Sequence, residues 1–274
     1  MISSTSNSKV KRLVALSQKA KLRKEEGVFI VEGARMFREA PPEWIKEVYI
    51  SETFLKKCEK EHDVVLMEIL NRTGYEVFTD EVFKKVSDTQ TPQGVLCVLS
   101  MPHYELTEQI DAWLADAKNA PLIMMLENLQ DPGNLGTILR AGEGAGVNGI
   151  IMTRQTADLF NPKVIRSTMG SIYRVPFFIV DELGETIGMF KKKGVVVYAA
   201  HLDDSVDYDE PDYTNPTAFL IGNEGNGLKR ETADLATQYI KIPMAGQVES
   251  LNAAVAATIL MYEAARQKRV RQKP

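Results

Sequence analysis

Apolar positions come in two rhythms along this chain. Between residues 7 and 24, Val10, Leu13, Val14 and Leu16 recur at helical spacing among lysines and arginines, which predicts a basic amphipathic helix. "GVFIVEG" (27–33) is a short apolar run bounded by glycines and predicts a strand, followed by a helix near 33–40. "WIKEVYIS" predicts another strand, 51–60 a helix, and "GYEVFTD" and "GVLCVLS" two further strands. Short strands alternating with helices up to about residue 100 imply a small α/β domain.

After the linker-like "SMPHYELTEQ", a helix over 107–118 opens a second domain. "PLIMML" is a fully apolar strand, 134–145 a helix, "VNGIIM" a strand and 161–169 a short helix. Residues 182–193 form a helix, "GVVVYAA", "TAFLIG" and "QYIKIPM" strands, and 251–267 a last helix whose Leu251, Val255, Ile259 and Tyr262 share one face. Continuous apolar strands between helices indicate a parallel sheet covered on both faces. The expected domains are 1–103 and 107–274.

At 274 residues and 44% hydrophobic, the chain has enough apolar surface for two modest domains. No apolar run approaches the roughly 18 residues of a membrane helix. "MISSTSNSKVKR" lacks the apolar centre of an export signal, so no membrane and a cytoplasmic location are expected. Cys58 and Cys97 are isolated, which suits a reducing compartment, and three scattered histidines lead to no expected metal site.

The net charge of -4 hides an uneven distribution. Residues 1–40 carry nine Lys/Arg against four Glu, and residues 263–274 carry five against one, while "HLDDSVDYDEPDY" holds six carboxylates. Basic ends either are solvated surface or attract a polyanion, and local charge matters more than the total.

Three loops at strand ends stand out, where ligands bind in open α/β sheets. The first, "ENLQDPGNLGTILRAGEG", turns at Asp131-Pro132-Gly133, and Asn134 opens a helix. Arg140 lies roughly 140° around that helix from Leu135, off the buried stripe. The second, "FLIGNEGNGL", interleaves three glycines with Asn223, Glu224 and Asn226; so little side chain leaves main-chain edges open to a flat heterocycle. The third, "IKIPMAGQVESLNAAVA", leads through Ser250 and Asn252, good helix caps, into the last helix. Each loop taken alone is also explained by ordinary capping. "GEGAGVNG" imitates a dinucleotide fingerprint, but its glycines close a helix instead of opening one, which counts against a Rossmann oxidoreductase; Gly142, Gly144 and Gly146 read as close packing and a C-cap.

Together, "NLGTILR", "IGNEGNGL" and "IPMAGQVESLNAAVA", in this order, resemble the SpoU (TrmH) family of RNA ribose methyltransferases within the SPOUT superfamily. The resemblance covers roughly residues 107–267. "FIVEGARMFREA" and "SDTQTPQGVLCVL" resemble the small substrate-binding domain that often precedes it. The resemblance implies a SPOUT domain with a parallel sheet and a deep trefoil knot, preceded by a small α/β RNA-binding domain. It implies S-adenosyl-L-methionine held at Leu220, Ile221, Gly222, Ile242, Met244 and Leu251, and catalytic roles for Asn134, Arg140, Glu224, Ser250 and Asn252. It implies a homodimer in which Arg140 lies near the partner's cofactor site. The expected reaction is methyl transfer to a ribose 2′-hydroxyl of RNA, with large-subunit ribosomal RNA favoured and transfer RNA the alternative. A non-catalytic RNA-binding protein is disfavoured by the retained Arg140, Glu224 and Asn252. RNA capture is expected from the leading helix through Lys9, Lys11, Arg12, Lys19 and Lys21, and deletion of residues 1–100 is expected to cripple action on RNA while sparing cofactor binding.

Overall fold

The computed structural model describes residues 1–116, 119–202 and 204–271, which form two compact units. The first comprises residues 1–103 with 158–173, the second 104–157 with 174–274.

In the first unit, α1 (Ser8–Gln18) and α2 (Ala20–Glu26) lead into β1 (Val28–Glu32), α3 (Ala34–Glu39), β2 (Ile45–Ser51), α4 (Glu52–Lys60), α5 (Val64–Thr73), β3 (Glu76–Phe78), α6 (Asp80–Val86) and β4 (Val95–Ser100). The four strands run in the order β1-β4-β2-β3, with β4 antiparallel to both neighbours and β3 parallel to β2. The single helix expected over 7–24 is two helices, because Lys19 is extended at φ -114°, ψ 103°. The break lets α2 bring Arg23, 2% exposed, back to the end of α1, where its guanidinium donates to the carbonyls of Leu16 (2.5 Å) and Ser17 (3.1 Å). These carbonyls belong to the last turn of α1, which lacks helical partners for them.

Arg23 also pairs with Asp158, from the returning segment. That segment carries α9 (Pro162–Thr168), which packs on β1. The rings of Phe29 and Phe160 lie 4.9 Å apart, and the Tyr173 hydroxyl donates to the Met36 carbonyl at 3.1 Å. The sequence reading had placed 158–173 in the second domain.

The second unit contains α7 (Leu106–Ala115), β5 (Leu122–Leu126), α8 (Pro132–Ala145), β6 (Gly149–Thr153), β7 (Phe177–Val180), α10 (Leu183–Lys192), β8 (Val196–Ala200), β9 (Val206–Asp207), β10 (Thr217–Ile221), α11 (Arg230–Ala233), β11 (Gln238–Lys241) and α12 (Ala253–Arg271). Residues 117 and 118 of the helix expected over 107–118 lie outside the described residues. All strand pairs are parallel, in the order β7-β6-β5-β10-β8-β11-β9. β5, β6 and β10 are buried along their whole length, as their unbroken apolar runs require. β7 is not evident from the pattern because it is only four residues long and its Ile179 is exposed. From β5 the chain moves outward to β6 and β7 on one side, while β10 lies on the other side. The crevice at such a reversal is where an open α/β sheet offers a binding site.

α12 departs from expectation. Its buried face is Ala254, Ala257, Leu260, Met261 and Ala264, whereas Val255 and Tyr262 are each 47% exposed. The helix is apolar nearly all round over its first turns, so spacing alone does not say which stripe faces inward.

Candidate active site

α8 begins two residues earlier than expected. Pro132 occupies its first turn, where no N–H is needed, and Asp131 is the cap, accepting the Asn134 N–H at 2.9 Å. Asn134 is therefore not the cap, and its side chain is free for other partners. Its amide donates to Glu224 Oε1 at 3.0 Å, and its Oδ1 accepts the Asn252 amide at 2.9 Å. Asn252 Oδ1 in turn accepts the N–H groups of Ala254 (2.9 Å) and Val255 (3.3 Å), capping α12. The amide orientations are forced: a carboxylate only accepts and a backbone N–H only donates. One chain of hydrogen bonds thus joins all three loops.

Glu224 also accepts the N–H groups of Gln130 (2.9 Å) and Asp131 (2.8 Å). Partial burial works against its charge, but the hydrogen bonds from Gln130, Asn134 and Asp131 prevail and hold its carboxyl below the usual glutamate range. A carboxylate so stabilised is a poor proton acceptor and a good clamp.

The glycine loop is folded tightly on itself. Asn223 and Gly227 exchange main-chain hydrogen bonds of 3.0 and 2.9 Å, and Asn223 Oδ1 accepts the N–H groups of Gly225 and Asn226. Gly222 is required by sterics, since a Cβ there would lie 2.1 Å from the Gly227 carbonyl carbon. Gly227 has φ +66°, the left-handed region.

This loop, the ends of β8 and β11 and the 242–252 loop enclose a cleft of about 650 Å³. Ile221, Gly222, Ile242, Met244 and Leu251 line it, together with Glu224, Ser250 and Asn252. Leu220, expected with them, is fully buried on the opposite side of its strand in the core with Ile123, Ile187 and Phe190. Adjacent strand residues face opposite sides of a sheet, so the Leu220 side chain turns from the cleft that Ile221 lines. Ala200, His201 and Leu202, at the end of β8, line the cleft as well, brought there by the pairing of β8 with β10 and β11. The Ser250 hydroxyl has no hydrogen-bond partner among the described residues. Arg140 does not line the cleft. It is exposed on α8 with Thr137 and Gly144, and no ion pair or hydrogen bond engages it among the described residues.

The family model of the SpoU rRNA Methylase family matches residues 121–262, and that of the MRM3-like substrate binding domain matches residues 7–97. The chain belongs to the SpoU methylase family. Over 265 residues this SpoU chain is 31% identical to the 23S rRNA (guanosine(2553)-2′-O)-methyltransferase RlmP of Bacillus subtilis, covering 95% of the chain and 97% of RlmP. Among solved structures, the AdoMet-bound rRNA methyltransferase of Sinorhizobium meliloti superposes with a TM-score of 0.81 at 31% identity, covering 97% of each chain. The SpoU methyltransferase AviRb of Streptomyces viridochromogenes, in complex with AdoMet, gives 0.82 at 28% identity, with 96% of this chain and 100% of that one covered.

The basic residues expected to meet RNA divide into two groups in this SpoU chain. Lys9 pairs with Glu76, and Arg12 is held by Glu26 (2.6 Å) and by both oxygens of Glu47 (2.9 and 3.0 Å). Arg12 therefore fastens α1 to β2. Lys21 makes a loose pair with Glu25 at 3.7 Å, and Lys11 and Lys19 have no side-chain partner among the described residues. In the C-terminal basic run Arg266, Lys268 and Arg271 have partners, Arg266 pairing with Glu263. Gln267 accepts the Tyr213 N–H at 2.8 Å and donates to the Pro211 carbonyl, and Arg271 donates to Thr214, so the acidic segment lies against the helix. Lys268 donates to the Ala120 carbonyl at 2.7 Å, and burial pushes its ammonium down to about 8.

Proposed function

We propose that this protein is an S-adenosylmethionine-dependent methyltransferase acting on the ribose 2′-hydroxyl of large-subunit ribosomal RNA. The observation that carries the reading is the Glu224–Asn134–Asn252 chain, which assembles three separate loops beside a single cleft. The cleft suits an adenosyl group: Ile221, Ile242, Leu251 and Leu260 offer aliphatic walls for a flat base. Along residues 244–251 the N–H groups make no main-chain hydrogen bond among the described residues, which leaves polar edges for the ligand. The large-subunit RNA assignment is supported by the match to RlmP along nearly the whole of both chains.

When bound, the cofactor supplies an electrophilic methyl group on a sulfonium. The chain's own residues address the harder part, a ribose hydroxyl that is barely acidic. Arg140, an exposed guanidinium without a partner among the described residues, grips the target phosphate and offsets the negative charge developing on the ribose oxygen. It is not assigned as the base, because guanidinium stays protonated in proteins. Ser250 and Asn252 orient the ribose at the cleft wall. Glu224 keeps the loop closed. No metal enters this reading, since Arg140 provides the positive charge.

Arg140 stands outside the cleft of its own chain, which leads to a homodimer in which each protomer's Arg140 serves its partner's cleft. Support comes from the exposed apolar stripe of Val255 and Tyr262 on α12, the helix that packs on α8, where Arg140 sits. A deep trefoil knot in the C-terminal part belongs to the same proposal, supported by the insertion of β10 between the earlier strands β5 and β8. A cytoplasmic location rests on two free, buried cysteines.

The test is to map 2′-O-methylated nucleotides across total RNA from cells with and without the protein. Loss of a methyl mark in large-subunit RNA is expected. A loss confined to transfer RNA would move the substrate, and no loss in any RNA would remove the function.

A further inference from the structure

The loops after β5 and β10 exchange carboxyl groups. Glu224, on the glycine loop, holds residues 130–134. In return Glu127, at the end of β5, reaches past the glycine loop. Its Oε2 accepts the Lys229 N–H at 2.7 Å and its Oε1 accepts the Thr232 hydroxyl at 2.5 Å. Its own N–H donates to the Ile221 carbonyl at 2.8 Å. The adjacent Asn128 accepts the Asn223 amide on its carbonyl at 2.9 Å. Two neighbouring residues on one strand end thus secure both ends of the 223–229 loop.

Glu127 is 4% exposed, and a carboxyl group in such a position is costly unless hydrogen bonds compensate it. Here they come from Lys229 and Thr232, just beyond Leu228, which lines the cleft. The loop's own hydrogen bonds run between Asn223 and residues 225–227, and Glu127 attaches the residues that follow them.

We infer that Glu127 is a positioning residue for cofactor binding: it fixes the trailing end of the glycine loop and, through Lys229 and Leu228, the main chain that faces the cleft. The inference rests on the cofactor reading of the cleft. Glu127 does not line the cleft and acts only through the loop.

The experiment is calorimetric titration of the full-length protein with S-adenosylhomocysteine, well below the Tm of each variant, with KM for S-adenosylmethionine and kcat measured alongside. Glu127→Ala is expected to weaken binding about tenfold, the scale of a lost strong hydrogen bond, and to raise KM more than it lowers kcat. Glu127→Gln is expected to restore most of the affinity, because its amide oxygen still accepts the Lys229 N–H. Thr232→Val, which removes one of the two donors, is expected to lie between Glu127→Ala and wild type. A Glu127→Ala protein with a lowered Tm and wild-type affinity would overturn the inference; should that variant not fold, wild-type affinity in Thr232→Val would do so. If the wild-type protein takes up no S-adenosylhomocysteine, the cofactor reading fails instead.

Discussion

Asn134 stands between Glu224 and Asn252, donating to the first across 3.0 Å and accepting from the second across 2.9 Å. The partners lie 90 and 118 residues away in the chain, so this one amide ties the start of α8 to the glycine loop and to the cap of α12. Removing it separates the α12 cap from the other two, which Glu224 still joins through the N–H groups of Gln130 and Asp131. Asn134→Ala is expected to cost about 1–2 kcal/mol of stability. Methyl transfer should fall roughly 10²-fold, the usual consequence of misplacing reacting groups by about an ångström. Asn134→Asp should be worse on both counts, because a second carboxylate would face Glu224. Thermal melts and single-turnover assays check this; wild-type turnover in Asn134→Ala would refute the connecting role.

Arg140 is exposed and unpaired among the described residues, so its replacement should leave folding almost untouched. Arg140→Ala is expected to change stability by no more than about 0.5 kcal/mol and to leave S-adenosylhomocysteine affinity close to wild type. Transfer should drop by a factor of at least about 10². Substantial turnover by this variant would remove Arg140 from the chemistry.

Glu224 gives the protein an acid-sensitive joint. Its folded pKa lies below the ordinary value of 4.5. The unfolded chain therefore binds the proton first as pH falls. The stability contributed by this carboxylate is complete above the unfolded value and is lost as pH drops through the folded one. Denaturant midpoints between pH 6 and pH 3 should fall less steeply in Glu224→Gln than in wild type, and equal slopes would contradict the linkage.

For RNA capture the useful substitutions are at Lys11 and Lys19, which have no side-chain partner among the described residues. The double change Lys11→Glu, Lys19→Glu should weaken RNA binding and lower the salt dependence of log K by about 1.5–2, while cofactor affinity stays as in wild type. An unchanged salt slope would place the phosphate contacts elsewhere. Deletion of residues 1–100 is a poorer test than the sequence implied. It would uncover Phe160, Val164, Ile165 and Ile172, which are buried in the same unit, and would leave Asp158 without Arg23. That truncation should aggregate, and an intact, cofactor-binding product would show that 158–173 is stable alone.

The α12 stripe predicts the oligomeric state. Val255→Glu places a charge on an apolar surface and is expected to convert a dimer to a monomer in sedimentation, with loss of transfer and retention of the fold. A dimer that persists would move the interface to another face.

Most of the second unit's scaffold is legible in the sequence because an unbroken run such as Leu122–Leu126 fits a strand buried on both faces. The three loops are legible as loops because glycines, Pro132 and Pro243 punctuate those runs. Other features resist local reading. The spacing of Val255, Ile259 and Tyr262 is the same whether a helix faces a core or another surface, so the pattern located the helix but not its buried side. Leu220 belongs to the right strand, yet a one-residue shift turns its side chain from cleft to core. Lys9 and Arg12 read as free positive charge until Glu76 and Glu47 are seen beside them. Residues 158–173 read as part of the second domain because nothing in their own pattern records a partner such as Arg23.

The sequence by itself determined most of the strands and helices and the residue types at the candidate site, because periodicity and turn chemistry act over a few neighbouring positions. Tertiary structure alone decided that Glu224 meets Asn134, that Glu127 secures Lys229 and that Arg140 does not line its own cleft. Those partnerships follow from strand order and helix facing, which bring together groups some hundred residues apart, and no local pattern encodes them.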